Sequence, residues 1–106
     1  MAVNPGEVEI ELNGRKEVLR STLYAMRMID TLGGMTEAFS QLARFKFAAY
    51  VTIVAAGLEK KYSQVEDDVM KTGMPNLVES LSHYIAVISN GGREPSDEGN
   101  KTSGEG

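Results

Sequence analysis

Glu7-Val8-Glu9-Ile10-Glu11-Leu12-Asn13-Gly14-Arg15 is the stretch on which the reading of the fold turns. Glutamates alternate with Val8, Ile10 and Leu12, the period of a strand with one face in a core and the other in water. Asn13-Gly14 follows at once, and both residues tolerate the positive φ angles of a tight two-residue turn. Arg15 to Arg20 therefore returns as a second strand, and the segment predicts a β-hairpin. A two-residue loop sets Val8 opposite Leu19, Ile10 opposite Glu17 and Leu12 opposite Arg15. One additional loop residue pairs Ile10 with Val18 instead, and the sequence leaves both registers open.

A lone hairpin is marginal in water, so the following segments must cover its apolar face. Ser21 or Thr22 can cap a helix by accepting a hydrogen bond from one of its free amides. Leu23, Met26 and Ile29, with Met28 and Leu32 beside them, predict its buried stripe, which Gly33-Gly34 stops. Thr36 to Arg44 predicts a second short helix burying Phe39 and Leu42. Phe45 to Leu58 fits both periods: Phe45, Phe47, Val51 and Ile53 suit a strand, whereas Phe47, Tyr50, Val54 and Leu58 suit a helix. Its length and its alanine pairs favour helix, its β-branched run pulls toward strand, and helix is the reading adopted.

Ser63-Gln64-Val65-Glu66 reads as a capping box, with Glu66, Asp67 and Asp68 complementing the dipole of the helix it opens and Lys71 at the far end. Gly73 ends that helix. Pro75 can begin the last one, whose stripe is Leu77, Leu81, Ile85 and Ile88 before Asn90-Gly91-Gly92. From Arg93 onward there is no large apolar residue, which predicts a disordered tail. The expected architecture is α+β: an N-terminal β-hairpin followed by four or five short α-helices around one core. Residues 1–6 form an N-terminal arm, 7–92 a single α+β domain and 93–106 the disordered C-terminal tail.

The chain has 106 residues, enough for one modest core but not two. It lacks cysteine and has one histidine, so thiolate chemistry, disulfides and multi-histidine metal sites within one chain are excluded. Its net charge of −4 disfavours a phosphate backbone as ligand. The longest apolar run, Phe47 to Leu58, is twelve residues and falls short of the about 20 needed to cross a bilayer. No export signal precedes it. The expectation is a cytoplasmic protein that needs neither membrane nor nucleic acid.

No catalytic, cofactor-binding or metal-binding set emerges. His83 has only Glu79 one turn away and reads as a solvated surface residue. Glu66, Asp67 and Asp68 fan out around a helix rather than converging on a cation. Gly33-Gly34 and Gly91-Gly92 follow helices and lack the lysine-serine or lysine-threonine pair of a phosphate loop. Arg44, Lys46, Lys60 and Lys61, interleaved with Phe45 and Phe47, suit a single-strand nucleic-acid groove, against the overall acidity of the chain. The methionines point elsewhere. Such flexible, polarisable side chains suit surfaces that repack against varied partners. Met26 and Met28 lie about 200° apart on one helix, so at least one leaves the main stripe. Met26, Met28, Phe45, Phe47 and Tyr50 are accordingly the candidate partner-binding residues, and association with further copies of the chain stays open.

Gly6-Glu7-Val8, Leu12-Asn13-Gly14-Arg15, Leu19-Arg20 and Thr22-Leu23 with Ala25 resemble the opening of small proteins in gene transfer agent and phage tail gene clusters. These are the tail assembly chaperone-like proteins, sometimes labelled tail tube proteins. Ala55-Ala56-Gly57-Leu58 looks like that family's alanine-glycine-leucine helix end, and the Leu77-to-Ile88 helix resembles its final helix. Glu17 departs from the pattern, since an aromatic residue often stands there, and Phe45-Lys46-Phe47 is more aromatic than the usual connection. The resemblance implies a non-enzymatic protein that transiently binds the tape measure protein and tail tube subunits during tail assembly, without a cofactor. A structural tail component retained in the particle is the alternative, and a small regulatory nucleic-acid binder a more distant one.

Overall fold

A computed structural model describes residues 4–94. The hairpin pairs β1 (Glu7–Leu12) with β2 (Arg15–Arg20) in antiparallel fashion. Val8 faces Leu19, Ile10 faces Glu17 and Leu12 faces Arg15, the register of the two-residue loop. Asn13 and Gly14 both adopt positive φ, 53° and 82°, as a type I′ turn requires. Val8, Ile10, Leu12 and Leu19 are buried, while Glu7, Glu9, Glu11, Lys16 and Arg20 occupy the opposite, outer face.

Five helices follow: α1 (Leu23–Asp30), α2 (Met35–Ala43), α3 (Phe47–Leu58), α4 (Tyr62–Thr72) and α5 (Val78–Ser89). The molecule is thus α+β, as its sequence predicts. The ambiguous apolar run is a helix, and α3 touches α1, α4 and β2, while β1 rests on α5 and α4 and α2 packs on α5. One continuous cluster of buried side chains joins the hairpin to all five helices. Each Leu or Ile fully buried in it contributes about 1.5–3 kcal/mol relative to exposure. Among the described residues no helix is long and apolar enough to cross a membrane.

Several local expectations are corrected. In α1 the residues that reach the core are Ala25 and Ile29, with Met26 and Met28 flanking them, whereas Leu23 is 65% exposed. α1 lies against α3, and the small Ala25 is fully buried. In α2 the buried pair is Ala38 and Leu42, one turn apart, and Phe39 is turned outward. The capping box at Ser63 does not form, because α4 starts earlier, at Tyr62. Gln64 does the work instead: its Oε1 accepts the Lys61 N–H at 2.8 Å while its own N–H donates to the Lys61 carbonyl at 2.9 Å.

That shift removes Glu66, Asp67 and Asp68 from the first turn of α4 and with it their dipole role. Asp67 pairs with Lys71 one turn on, at 3.1 Å, and Asp68 serves the hairpin tip. Pro75 lies in a one-turn 3-10 helix, Met74–Asn76, rather than at the start of α5. The stripe of α5 is as expected, with Leu77, Leu81, Ile85 and Ile88 buried, and Tyr84 and Val87 buried beside them. The Tyr84 hydroxyl donates to the Arg20 carbonyl, which ties α5 to the end of β2. Burial, and secondarily the Glu59 carboxylate, push its phenol well above the usual tyrosine range. Of the expected arm, residues 1–3 lie outside the described residues, as do residues 95–106 of the expected tail.

Candidate partner-binding surface

The sequence candidates do not share one face. Tyr50 is fully buried, its hydroxyl donating to the Leu42 carbonyl at 2.6 Å, so it has no surface to present. Its burial raises the phenol pKa. Phe47 and Met28 are half-buried and packed against the core. Phe45 is 45% exposed and stacks on Tyr50, with ring centroids 6.3 Å apart and planes 18° from parallel. It also has a φ of 56°, in the left-handed region that bulky residues rarely enter.

The cause lies in the end of α2. The Lys46 N–H donates to the Gln41 carbonyl (3.0 Å) and the Phe45 N–H to that of Leu42 (3.1 Å), the bonding pattern of a left-handed helix stop. Glycine usually fills that position. Here the stack on Tyr50 holds an aromatic ring there, and an exposed phenyl group marks the junction of α2 and α3.

Met26 is different, because it borders a hollow of about 210 Å³ where the hairpin, α1 and α5 meet. Ser21 and Thr22 form one side, Leu23 and Met26 another, and Ile88 with Gly91 and Gly92 closes it. Each wall is set by local chemistry. The Thr22 hydroxyl accepts the Ala25 N–H at 3.0 Å and starts α1 at Leu23, which fixes Leu23 in its first turn. Ser21 donates both its N–H (3.1 Å) and its hydroxyl (2.6 Å) to the Gly6 carbonyl, closing the open end of the hairpin. On the third side, the Gly92 N–H donates to the Val87 carbonyl (2.9 Å) and the Gly91 N–H to that of Ile88 (3.2 Å), a Schellman stop for α5.

Leu23, at 65% exposure, and Tyr24, at 49%, are thus large apolar side chains fixed in the first turn of a helix and pointed at solvent. The sequence reading missed them by assigning Leu23 to the core. The signal was available: Ala25 and Ile29 are one turn apart and leave Leu23 and Tyr24 outside the stripe they define. Ile88 and the glycine pair were read as structural and contribute to the hollow as well.

The polar features are more dispersed. His83 is exposed and its Nε2 lies 3.2 Å from the Glu94 carboxylate rather than near Glu79. It faces an open groove of about 550 Å³ that also borders Glu7, Val8, Glu9, Glu79 and Ser80. Among the described residues no three His, Asp or Glu side chains come together closely enough to hold a metal ion. On α2, Glu37 accepts from Gln41 and Arg44, each at 3.1 Å, and its pKa is lowered by the Gln41 hydrogen bond foremost. Gln41 also donates to the Leu32 carbonyl (3.1 Å), so this group joins the end of α1 to α2. No protein-family model, no curated protein and no solved structure matches this chain.

Proposed function

We propose that this chain is a non-enzymatic binding module of the tail assembly chaperone kind, which transiently holds helical segments of a tape measure protein in the cytoplasm. The observation that carries the reading is the hollow beside Leu23 and Met26. It is apolar and shallow, it is walled by a flexible methionine, and it is fixed by Thr22-Leu23, within the segment where the resemblance to such proteins is most specific. An amphipathic helix docks on a surface of this type by placing one apolar side chain into the hollow and laying its neighbours along the rim. Leu23 and Tyr24 supply that rim, and Met26 adapts to side chains of different shape. Phe45 is a second apolar contact point at the α2–α3 junction.

Co-expression with the tape measure protein of the same gene cluster tests this reading. The expected result is a soluble complex that Leu23→Asp disrupts, with the variant itself folded because Leu23 is exposed. Protein inventories of finished particles should then lack the chain. A stoichiometric copy in finished particles replaces the chaperone by a structural tail component, and a complex indifferent to Leu23→Asp removes the hollow from the binding site.

A further inference from the structure

The free edge of β1 leads to a second surface, independent of the chaperone reading. The Ser21 N–H donates to the Gly6 carbonyl. Given the register Val8↔Leu19 and Ile10↔Glu17, the alternation of an antiparallel ladder turns the N–H and C=O of Glu9 and Glu11 away from β2. The Glu7 N–H is taken by the Asn4 carbonyl at 3.0 Å, but those of Glu9 and Glu11 have no backbone partner among the described residues.

An unpaired edge is a template for another strand, and proteins usually guard it with lysine, proline or a charge pointing toward the core. β2 has such guards in Lys16 and, on its core-facing side, Glu17. The core-facing residues of β1 are Val8, Ile10 and Leu12, with no guard among them. Beside β1 runs α5, and between them lies the groove of about 550 Å³.

Charge selects the occupant. The groove is bordered by the carboxylates of Glu7, Glu9, Glu79 and Glu94, faced by the His83 imidazole. Arg20 reaches Glu7 at 3.9 Å and Lys16 reaches Glu9 at 3.5 Å, both from the β2 side of the sheet. Glu79 enters no ion pair among the described residues. We propose that the β1 edge binds an extended peptide bearing Lys or Arg at alternate positions, by β-strand addition. Its backbone pairs with Glu9 and Glu11, and its basic side chains meet the carboxylates that line the groove. A second copy of this chain has basic residues on β2, but it also brings α3, packed on β2, against α5. The chain's own residues 95–106 have the wrong sign, with Asp97, Glu98 and Glu105 against Lys101.

The test is a titration of the ¹⁵N-labelled full chain with three capped peptides: alternating Lys-Val, alternating Glu-Val and alternating Lys-Val N-methylated on every backbone amide. Lys-Val should bind and slow hydrogen exchange at the Glu9 and Glu11 amides by roughly tenfold, which reports new backbone bonds. Glu-Val should fail on charge and the N-methylated peptide on its missing donors. Glu79→Lys, at an exposed position of α5, should weaken Lys-Val binding roughly tenfold with the fold unchanged. Equal binding of the N-methylated peptide, unaltered exchange at Glu9 and Glu11, or indifference to Glu79→Lys overturns the proposal. So does concentration-dependent self-association through this edge, which would make the occupant a second copy.

Discussion

α3 and α4 lie against each other, twelve and eleven residues long, and are held by opposite means. α3 buries Ala49, Tyr50, Val51, Ile53, Val54, Ala55, Ala56 and Gly57, so that it is apolar on nearly every side. α4 buries only Val65 and Val69, one turn apart, and its other attachments are polar. Asp68 accepts from the Asn13 side-chain amide (2.9 Å) and from Arg15 (3.0 Å), and the Thr72 hydroxyl accepts the Asn13 N–H (2.7 Å). The comparison separates two ways of fixing a helix. The first rests on shape and exclusion of water, which hardly respond to pH or salt. The second rests on exposed hydrogen bonds and charge, which are individually weak and respond to both.

Ile53→Ala tests the first mechanism most directly. Ile53 is fully buried in α3, and truncating a buried Ile to Ala costs about 2–5 kcal/mol through lost transfer energy and an unfilled cavity. In a domain of this size each kcal/mol lowers the melting temperature by roughly 4–8 °C. Thermal unfolding followed by circular dichroism should therefore shift strongly downward. A cost below about 1 kcal/mol would mean that α3 is not packed more tightly than α4.

The same contrast governs what could be read from sequence. The hairpin was legible down to its turn, because one face is in water and the other in the core, and the alternation of glutamate with Val8, Ile10 and Leu12 records it. α3 was ambiguous because it is buried all round, and a segment without a polar face has no period to distinguish helix from strand. α4 was legible as a helix but misplaced at its start, since Lys61 is not a capping residue and acts only through its backbone. Leu23 was misassigned because an apolar residue at helical spacing looks like core whether or not a neighbouring element covers it. That covering is decided by tertiary packing, here by α1 setting Ala25 against the core and leaving Leu23 beside the hollow. Of the candidate site, Met26 and Phe45 were legible by residue type. The alternation alone marks Val8, Ile10 and Leu12 as the core-facing residues of β1, whereas the placing of Glu17 opposite Ile10 follows only from the register, which two loop lengths left open.

Gly57→Ala sharpens the contrast at one atom. A Cβ at Gly57 would lie 2.7 Å from Cδ2 and 2.9 Å from Cβ of Leu19, which is itself fully buried. Overpacking of this kind costs typically about 1–3 kcal/mol, offset by up to about 1 kcal/mol because alanine favours helix more than glycine does. The expected net loss is about 1–2 kcal/mol, smaller than that of Ile53→Ala. Combining it with Leu19→Ala should make the pair cost less than the sum of the two changes, since the second removes Cγ and Cδ2, including the nearest atom that the first strikes, and leaves only Cβ to be accommodated. Strict additivity in chemical denaturation would show that the contact between β2 and α3 does not limit how closely they approach.

Asp68→Ala should have the smallest effect, and its pH dependence carries the information. Hydrogen bonds from Asn13 first and then Arg15 stabilise the carboxylate, so its pKa in the folded chain lies below the usual aspartate value of about 3.9. A group of this kind adds stability that is fully present above its unfolded pKa and disappears as the pH falls through the lower, folded one. The partners are exposed, which limits the loss on substitution at pH 7 to below about 1 kcal/mol. Unfolding curves of the variant and the parent chain should differ at pH 7, approach each other below pH of about 4 and draw closer in high salt. If the gap instead persists unchanged into acid, the carboxylate's charge is not what fastens the hairpin tip to α4. The attachment would then rest on the Asn13 side-chain amide donating to the protonated carboxyl, a neutral bond that Asp68→Ala also removes.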